Sequence, residues 1–168
     1  MINNINYESR CLKKLKEMGA PLEGWYCVGM IDEETPTFVC ELCGCEKVRY
    51  VHIMHHEDFE RELYVGCICA GVMEDNILAA KDRDRKMKNR AKRKKHFPNR
   101  RWDFMCDGSF FLYYNGYRIT ISTSRNGRYC ATCGTRYTWL YHNQPIMDFK
   151  SACYAAFDLA DPIEEVRR

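Results

Sequence analysis

Apolar residues recur at helical spacing near the start of the chain. Cys11, Leu12, Leu15 and Met18 form a stripe that predicts a helix over 7–18, with Asn6 as its cap. Gly19 and Pro21 stop it, and the stripe reads as a core face. From residue 25 the period shortens. Residues 25–31 read as a strand, 32–36 as a turn, and 37–40 lead into a second strand. Residues 47–54 alternate polar and apolar, as a half-buried strand does, and 63–65 make a further short strand after a loop at 55–58. A short apolar turn at 70–73 follows. Residues 76–95 then contain neither Gly nor Pro and are rich in Ala, Lys and Arg, which predicts a long helix starting near Asp75 and ended by Pro98. Its apolar residues thin out to Met87 and Ala91, so it does not read as a core helix.

The last third turns β again. Residues 109–114, Asn115-Gly116 and residues 117–123 form a hairpin signal, because Asn-Gly suits a turn with positive φ at both central positions. Asn126-Gly127 leads into a third strand at 129–132. Asp148 then caps a helix whose apolar residues are Phe149, Ala152, Cys153, Ala156, Phe157 and Ala160. The expected fold is α+β: a zinc β-ribbon-like half over 1–74, a basic connecting helix over 75–101, and a C-terminal three-stranded antiparallel sheet with one helix over 102–168.

Charge changes this picture. The net charge of +3 over 168 residues is an average of unlike parts. Residues 81–101 hold twelve Lys and Arg against two Asp, so the remainder is net acidic. Such a block makes a strong local field and suggests a polyanionic partner. Within it, Arg83, Lys86, Arg90, Lys92, Arg93, Lys94 and Lys95, extended by Arg100, Arg101 and Trp102, are the candidate nucleic-acid contacts. Phe110, Tyr114, Tyr117 and Tyr129 are candidates for stacking on bases. The bland alternative is a solvated linker helix.

The eleven cysteines supply the candidate chemistry. Their odd number and the polar first ten residues argue against a secreted disulfide framework. They point to reduced thiols in the cytoplasm, some of them holding metal. No apolar run approaches the ~20 residues that span a bilayer. Cys40-Glu-Leu-Cys43-Gly44 is a knuckle, in which two thiolates three positions apart grip one ion across a sharp turn. Cys67 and Cys69 are the expected second pair, brought back by the strands between. This gives a zinc site of Cys40, Cys43, Cys67 and Cys69. His52 is the first substitute for a fourth ligand, with Cys45, His55 and His56 behind it. Four sulfurs leave no open position, so the zinc is expected to be structural. Cys130-Ala-Thr-Cys133-Gly134 repeats the spacing but lacks a matching second pair.

Cys40-Glu-Leu-Cys-Gly44, Arg49-Tyr-Val-His52, His55 and Val65-Gly-Cys-Ile-Cys-Ala70 resemble a group of small bacterial and phage zinc-finger proteins. The basic helix and a later Trp-then-hairpin segment fit the same pattern, so the resemblance covers most of the chain. It implies a bound zinc and a prokaryotic or phage setting, and no activity. Some of those proteins carry Ser where this chain has Cys67, which ranks Cys67 below Cys69 as a ligand. Residues 109–160 resemble AP2-like DNA-binding domains in topology, a likeness that implies a DNA-reading sheet.

No H-E-x-x-H, no H-x-E with P-C-x-x-C and no Gly-rich phosphate loop is present, so the His52, His55, His56, Glu57 and Asp58 cluster does not read as a reaction site. The expected function is zinc-stabilised nucleic-acid binding. The alternative is a protein-binding regulator or inhibitor, of the kind a phage directs at a host system. Neither reading expects a membrane or a small-molecule substrate.

Overall fold

The computed structural model describes residues 2–164, and side chains from residue 6 onward. The fold is α+β, and its residues divide into two compact units, 1–88 with 163–168, and 89–162.

The first unit opens with helix α1 (Ile2–Glu17). The helix begins earlier than Asn6, which lies inside it, because Asn is only mildly unfavourable in a helix interior. Its end follows a Schellman pattern. Gly19 has φ of 68°, Ala20 donates its N–H to the Leu15 carbonyl, and Gly19 donates to that of Lys16. Strands β1 (Tyr26–Asp32), β2 (Tyr50–His55) and β3 (Leu63–Val65) form an antiparallel sheet in that order. The expected strand at 37–40 is reduced to a single bridge between Phe38 and Val48, which leaves the backbone from Cys40 free to turn. Helix α2 (Cys67–Met73) follows directly from β3, and α3 (Ile77–His96) follows after a short turn. Asn76 caps α3 by accepting the Ala79 N–H. The core of this unit joins Cys11 and Leu15 of α1 to Trp25, Met54, Leu63, Val65, Ala70 and Met73, all buried.

The second unit corrects the expected three-stranded sheet. Its main sheet has five antiparallel strands: β4 (Asp103–Phe104), β5 (Phe110–Tyr114), β6 (Tyr117–Thr123), β7 (Tyr129–Cys133) and β8 (Arg136–Thr138), in sequential order. Two further short strands, β9 (Leu140–Tyr141) and β10 (Gln144–Pro145), pair as a separate ribbon. The added edge strands, β4 and β8, have two and three residues, too few for alternation to show in the sequence. The central hairpin forms with positive φ at Asn115 and Gly116, as its turn residues require. Helix α4 (Phe149–Ala160) starts at Asp148, whose carboxylate accepts the Ser151 N–H at 2.8 Å. Its face of Ala152, Cys153, Ala156 and Phe157 packs with Leu112, Ile119, Ile121 and Ala131 of the sheet, and Phe97 and Phe157 are fully buried. Each of those two rings contributes about 2–3 kcal/mol through its burial.

No helix among the described residues is long and apolar enough to cross a membrane.

Candidate functional site

The knuckle forms where the sequence places it. Gly44 takes a φ of 74° and donates its N–H to the Cys40 carbonyl, while the Cys40 N–H reaches the Cys45 carbonyl. This tight reversal brings the two side chains of Cys40 and Cys43 to one side. Cys69 of α2 completes a trio whose sulfurs all lie within 4.8 Å of one another.

The remaining expected ligand, Cys67, is not in this group. Cys67 and Cys69 lie two apart on a helix rather than on a strand. At 3.6 residues per turn their side chains point about 200° apart. Cys67 instead stands with His52 and Asp84, its ligand atom within 4.8 Å of theirs. His52 therefore does not replace a thiol at the knuckle either.

Cys11 lies beside this trio, close to Cys69 but not within 4.8 Å of all three sulfurs. It lies on α1, is 1% exposed, and holds its sulfur 3.6 Å from that of Cys69. Sulfurs about 2.3 Å from a tetrahedral zinc stand about 3.8 Å from one another. The spacing therefore suits two ligands of one ion. Sequence reasoning missed Cys11 because its position in the α1 stripe is also a core position. The available signal was the C-x-C spacing, which cannot supply two adjacent ligands from a helix and so demands a fourth thiol from elsewhere.

The surroundings suit thiolates. Gly66 donates its N–H to the Cys40 sulfur at 3.3 Å, and the Tyr7 hydroxyl lies 3.5 Å from the Cys69 sulfur. Without a cation these crowded groups hold their protons. Hydrogen bonding with Cys69 and then burial push the Cys40 thiol above its ordinary pKa. Contact with Cys11 raises that of Cys69, and burial raises that of the Tyr7 hydroxyl. A bound divalent cation would reverse this by favouring the ionised sulfurs. The clusters of cysteine and histidine are thus consistent with a metal-binding site.

Burial and then the negative charge of Asp84 push the Cys67 thiol up to about 11. The loop at 55–58 is occupied structurally: the His56 ring packs 5.3 Å from that of Trp25 and bonds the Glu23 carbonyl and the Asp58 N–H.

The second pair with knuckle spacing, which lacks a partner pair in the sequence, does not form a knuckle. Cys130 and Cys133 lie three apart on strand β7, so they point to opposite faces of the sheet.

The basic block is largely neutralised within the chain. In the first unit, Arg83 pairs with Glu74, Arg85 and Lys86 pair with Asp82, and Lys88 lies 3.0 Å from Asp84. In the second unit, Arg90 and Lys94 both reach Asp158, and Arg93 reaches Asp161. Arg90 is only 7% exposed. Its guanidinium lies over the Phe157 ring and also donates to the Asp161 carbonyl at 2.7 Å. Five of the nine expected contacts, Arg83, Lys86, Arg90, Arg93 and Lys94, thus have acidic partners. For Arg90, Arg93 and Lys94 the sequence hid this, because the acids at 158 and 161 come from the end of α4 and the residue just beyond it. Lys92, Lys95, Arg100 and Arg101 are exposed, and among the described residues none of them forms an ion pair. Arg100 sits over the Tyr114 ring, and Trp102 is packed edge-on against Phe97 and Phe149 rather than presented outward.

Of the expected stacking aromatics, Tyr117 is exposed, at 45%, while the other three turn inward. Tyr114 faces α4 in the core, the Phe110 ring lies 4.9 Å from that of Phe149, and Tyr129 packs on the same core. Phe111, Tyr113, Arg118, Thr120, Thr132 and Tyr137 share the opposite face by register. Tyr113 is 68% exposed and Tyr137 66%. Arg118 lies 4.5 Å above the Phe111 ring. No family model, curated protein or solved structure matches the chain.

Proposed function

We propose that this chain is a structural-zinc protein whose second unit binds single-stranded nucleic acid. The trio of Cys40, Cys43 and Cys69, with the Cys11 sulfur 3.6 Å from that of Cys69, carries the zinc half of this reading. Four thiolates make a closed site, so the ion would tie α1 to the knuckle and α2 and would take no part in a reaction. A zinc ion is the natural occupant, because an all-thiolate tetrahedron selects it over harder cations.

The nucleic-acid half moves from the helix to the sheet. Residues 89–162 hold twelve Lys and Arg against five Asp and no Glu. The sheet face turned away from α4 combines exposed rings with a cation and hydroxyls. Aromatic faces on a basic surface stack successive bases with little regard to sequence. Strongly exposed rings cost solubility, and base stacking gives Tyr113 and Tyr137 a use. Lys92, Lys95, Arg100 and Arg101 are the cations free to meet phosphates.

The test is fluorescence anisotropy of the zinc-loaded protein with labelled single-stranded DNA, RNA and duplex over a salt series. The reading expects single strands to bind more tightly than duplex, and affinity to fall linearly in log salt. Tyr113→Ala with Tyr137→Ala should weaken single-strand binding by about 2–6 kcal/mol, one to three per stacked base. Absence of binding at low salt would refute it. One observation favours a protein partner instead: Trp139, Leu140 and Met147 are exposed apolar residues of the same unit. A salt-insensitive protein complex lost in Trp139→Ala, with no nucleic-acid affinity, would establish that alternative.

A further inference from the structure

His52, Cys67 and Asp84 lie outside the four-sulfur group, and nothing in the proposed function uses them. Three elements bring them together. His52 is the third residue of β2 and pairs in register with Val65 of β3. Cys67 opens α2, two residues further on, and Asp84 lies in the first half of α3.

The histidine is the unusual member. Its side chain is fully buried, and its Nε2 has no hydrogen-bond partner among the described residues. Leaving a polar nitrogen buried without a partner costs about 1–3 kcal/mol. The nearest acceptor, Asp84 Oδ1, is 3.8 Å away, beyond hydrogen-bond reach. That distance is close to what two ligands of one ion require, since nitrogen and oxygen about 2.0–2.2 Å from a tetrahedral zinc stand about 3.4 Å apart. The Cys67 ligand atom lies within 4.8 Å of both. We propose that His52 Nε2, Cys67 Sγ and Asp84 Oδ1 form a second zinc-class metal site, separate from the four-sulfur centre.

The supporting groups fit this role. Asp84 gives its other oxygen, Oδ2, to Lys88 at 3.0 Å, which fixes the carboxylate and leaves Oδ1 turned toward His52. Arg83 Nε lies 3.4 Å from His52 Nδ1, while its terminal nitrogens are engaged by Glu74. Binding the ion through Nε2 puts the imidazole proton on Nδ1, so Arg83 must withdraw its Nε and remain on Glu74 alone. The Cys67 proton leaves to solvent. The two cations lower the affinity below that of the four-sulfur centre, so the two sites should load in order.

The second site borders open space, which Cys43 of the knuckle also reaches. A cavity of about 340 Å³ is lined by Cys67, Asp84, Tyr50 and Lys88. Cys67 and Asp84 face this cavity while His52 lies buried behind them, and a three-ligand ion there has a fourth position for water or a small anion. An exchangeable ion at this place is chemically distinct from a structural one.

The experiment counts metal. Full-length protein saturated with zinc, then freed of unbound ion, is measured for zinc per chain by mass spectrometry, and titrated with cobalt to read each equivalent by its visible spectrum. Two equivalents are expected, the second weaker and with lower sulfur-to-cobalt charge-transfer intensity. Cys67→Ser and Asp84→Asn should each abolish the second equivalent or weaken it by about a hundredfold or more. The first equivalent should stay as in the unaltered chain. Both positions are only partly buried, and Asp84→Asn keeps the side-chain shape, so it decides the matter if Cys67→Ser perturbs folding. A single equivalent in the unaltered chain at saturation, or two equivalents retained in Asp84→Asn, would overturn the second site. Failure of the four-sulfur reading would look different: the first equivalent would survive Cys11→Ser.

Discussion

Replacing Cys11 by Ser separates the four-sulfur centre from the ligand set that spacing alone suggests. The side chain is 1% exposed, and its sulfur is 3.6 Å from that of Cys69, so the substitution removes one ligand and almost no other polar contact. Structural zinc in small domains contributes about 10–16 kcal/mol of apparent binding free energy, and one thiolate of four accounts for roughly a quarter, about 2.5–4 kcal/mol. At 1.4 kcal/mol per tenfold, zinc affinity should fall by about two to three orders of magnitude. Because binding is coupled to folding, the melting transition of the first unit should fall with it. The matched control is Cys67→Ser, which should leave the tighter zinc equivalent and the melting temperature of the zinc-loaded protein nearly unchanged. The assay is competition against a chromophoric chelator, with thermal melting followed by circular dichroism. If Cys67→Ser costs the tight zinc and Cys11→Ser does not, α1 contributes no ligand and the geometry has been misjudged.

Zinc affinity should rise with pH across the neutral range. The Cys40 and Cys69 thiols sit above their ordinary pKa when no cation is present, so protons compete with the ion and are displaced by it. Chelator competition corrected for the chelator's own protonation should release about two to four protons per zinc, and a pH-independent affinity would contradict thiolate ligation. Arg90→Met should destabilise the second unit by about 2 kcal/mol, since it removes charged hydrogen bonds from a buried guanidinium and leaves the Asp161 carbonyl unpaired, as urea denaturation will show. Exposed Lys92→Met should change stability by less than about 0.5 kcal/mol in the same assay. Asp148→Ala should cost about 1 kcal/mol through loss of the α4 cap.

What the sequence showed and what it hid follow from the range of the interactions involved. The knuckle, the Asn115-Gly116 turn, the α4 stripe with its Asp148 cap and the long helix from Ile77 are local: each is specified by residues within a few turns of one another. Cys11, the proposed fourth ligand, is not local, because it lies 29 positions before Cys40 in a stripe that core packing explains equally well. The side on which Cys67 falls depends on the element type at 67–69, which the sequence leaves open between a strand and a strand-to-helix junction. On a strand it would share a face with Cys69, and on a helix it cannot. The facing of Phe110 to Tyr114 was not legible because that run is apolar at every position, so the sequence carries no parity signal there. Pairing with β6 sets the parity, placing Leu112 opposite Ile119 in the core and Tyr113 opposite Arg118 outside. The basic helix looked free because Asp158 and Asp161 lie more than sixty positions beyond Arg90 and Arg93. Charge counted along a chain does not show which charges meet in space.

X-ray absorption at the zinc edge, on protein carrying one equivalent of zinc, tests the central claim most directly. The four-thiolate centre predicts a shell of four sulfurs at about 2.3 Å with no nitrogen or oxygen, changing to three sulfurs and one lighter atom in Cys11→Ser. A shell containing imidazole nitrogen in the unaltered chain, or four sulfurs persisting in Cys11→Ser, would contradict it.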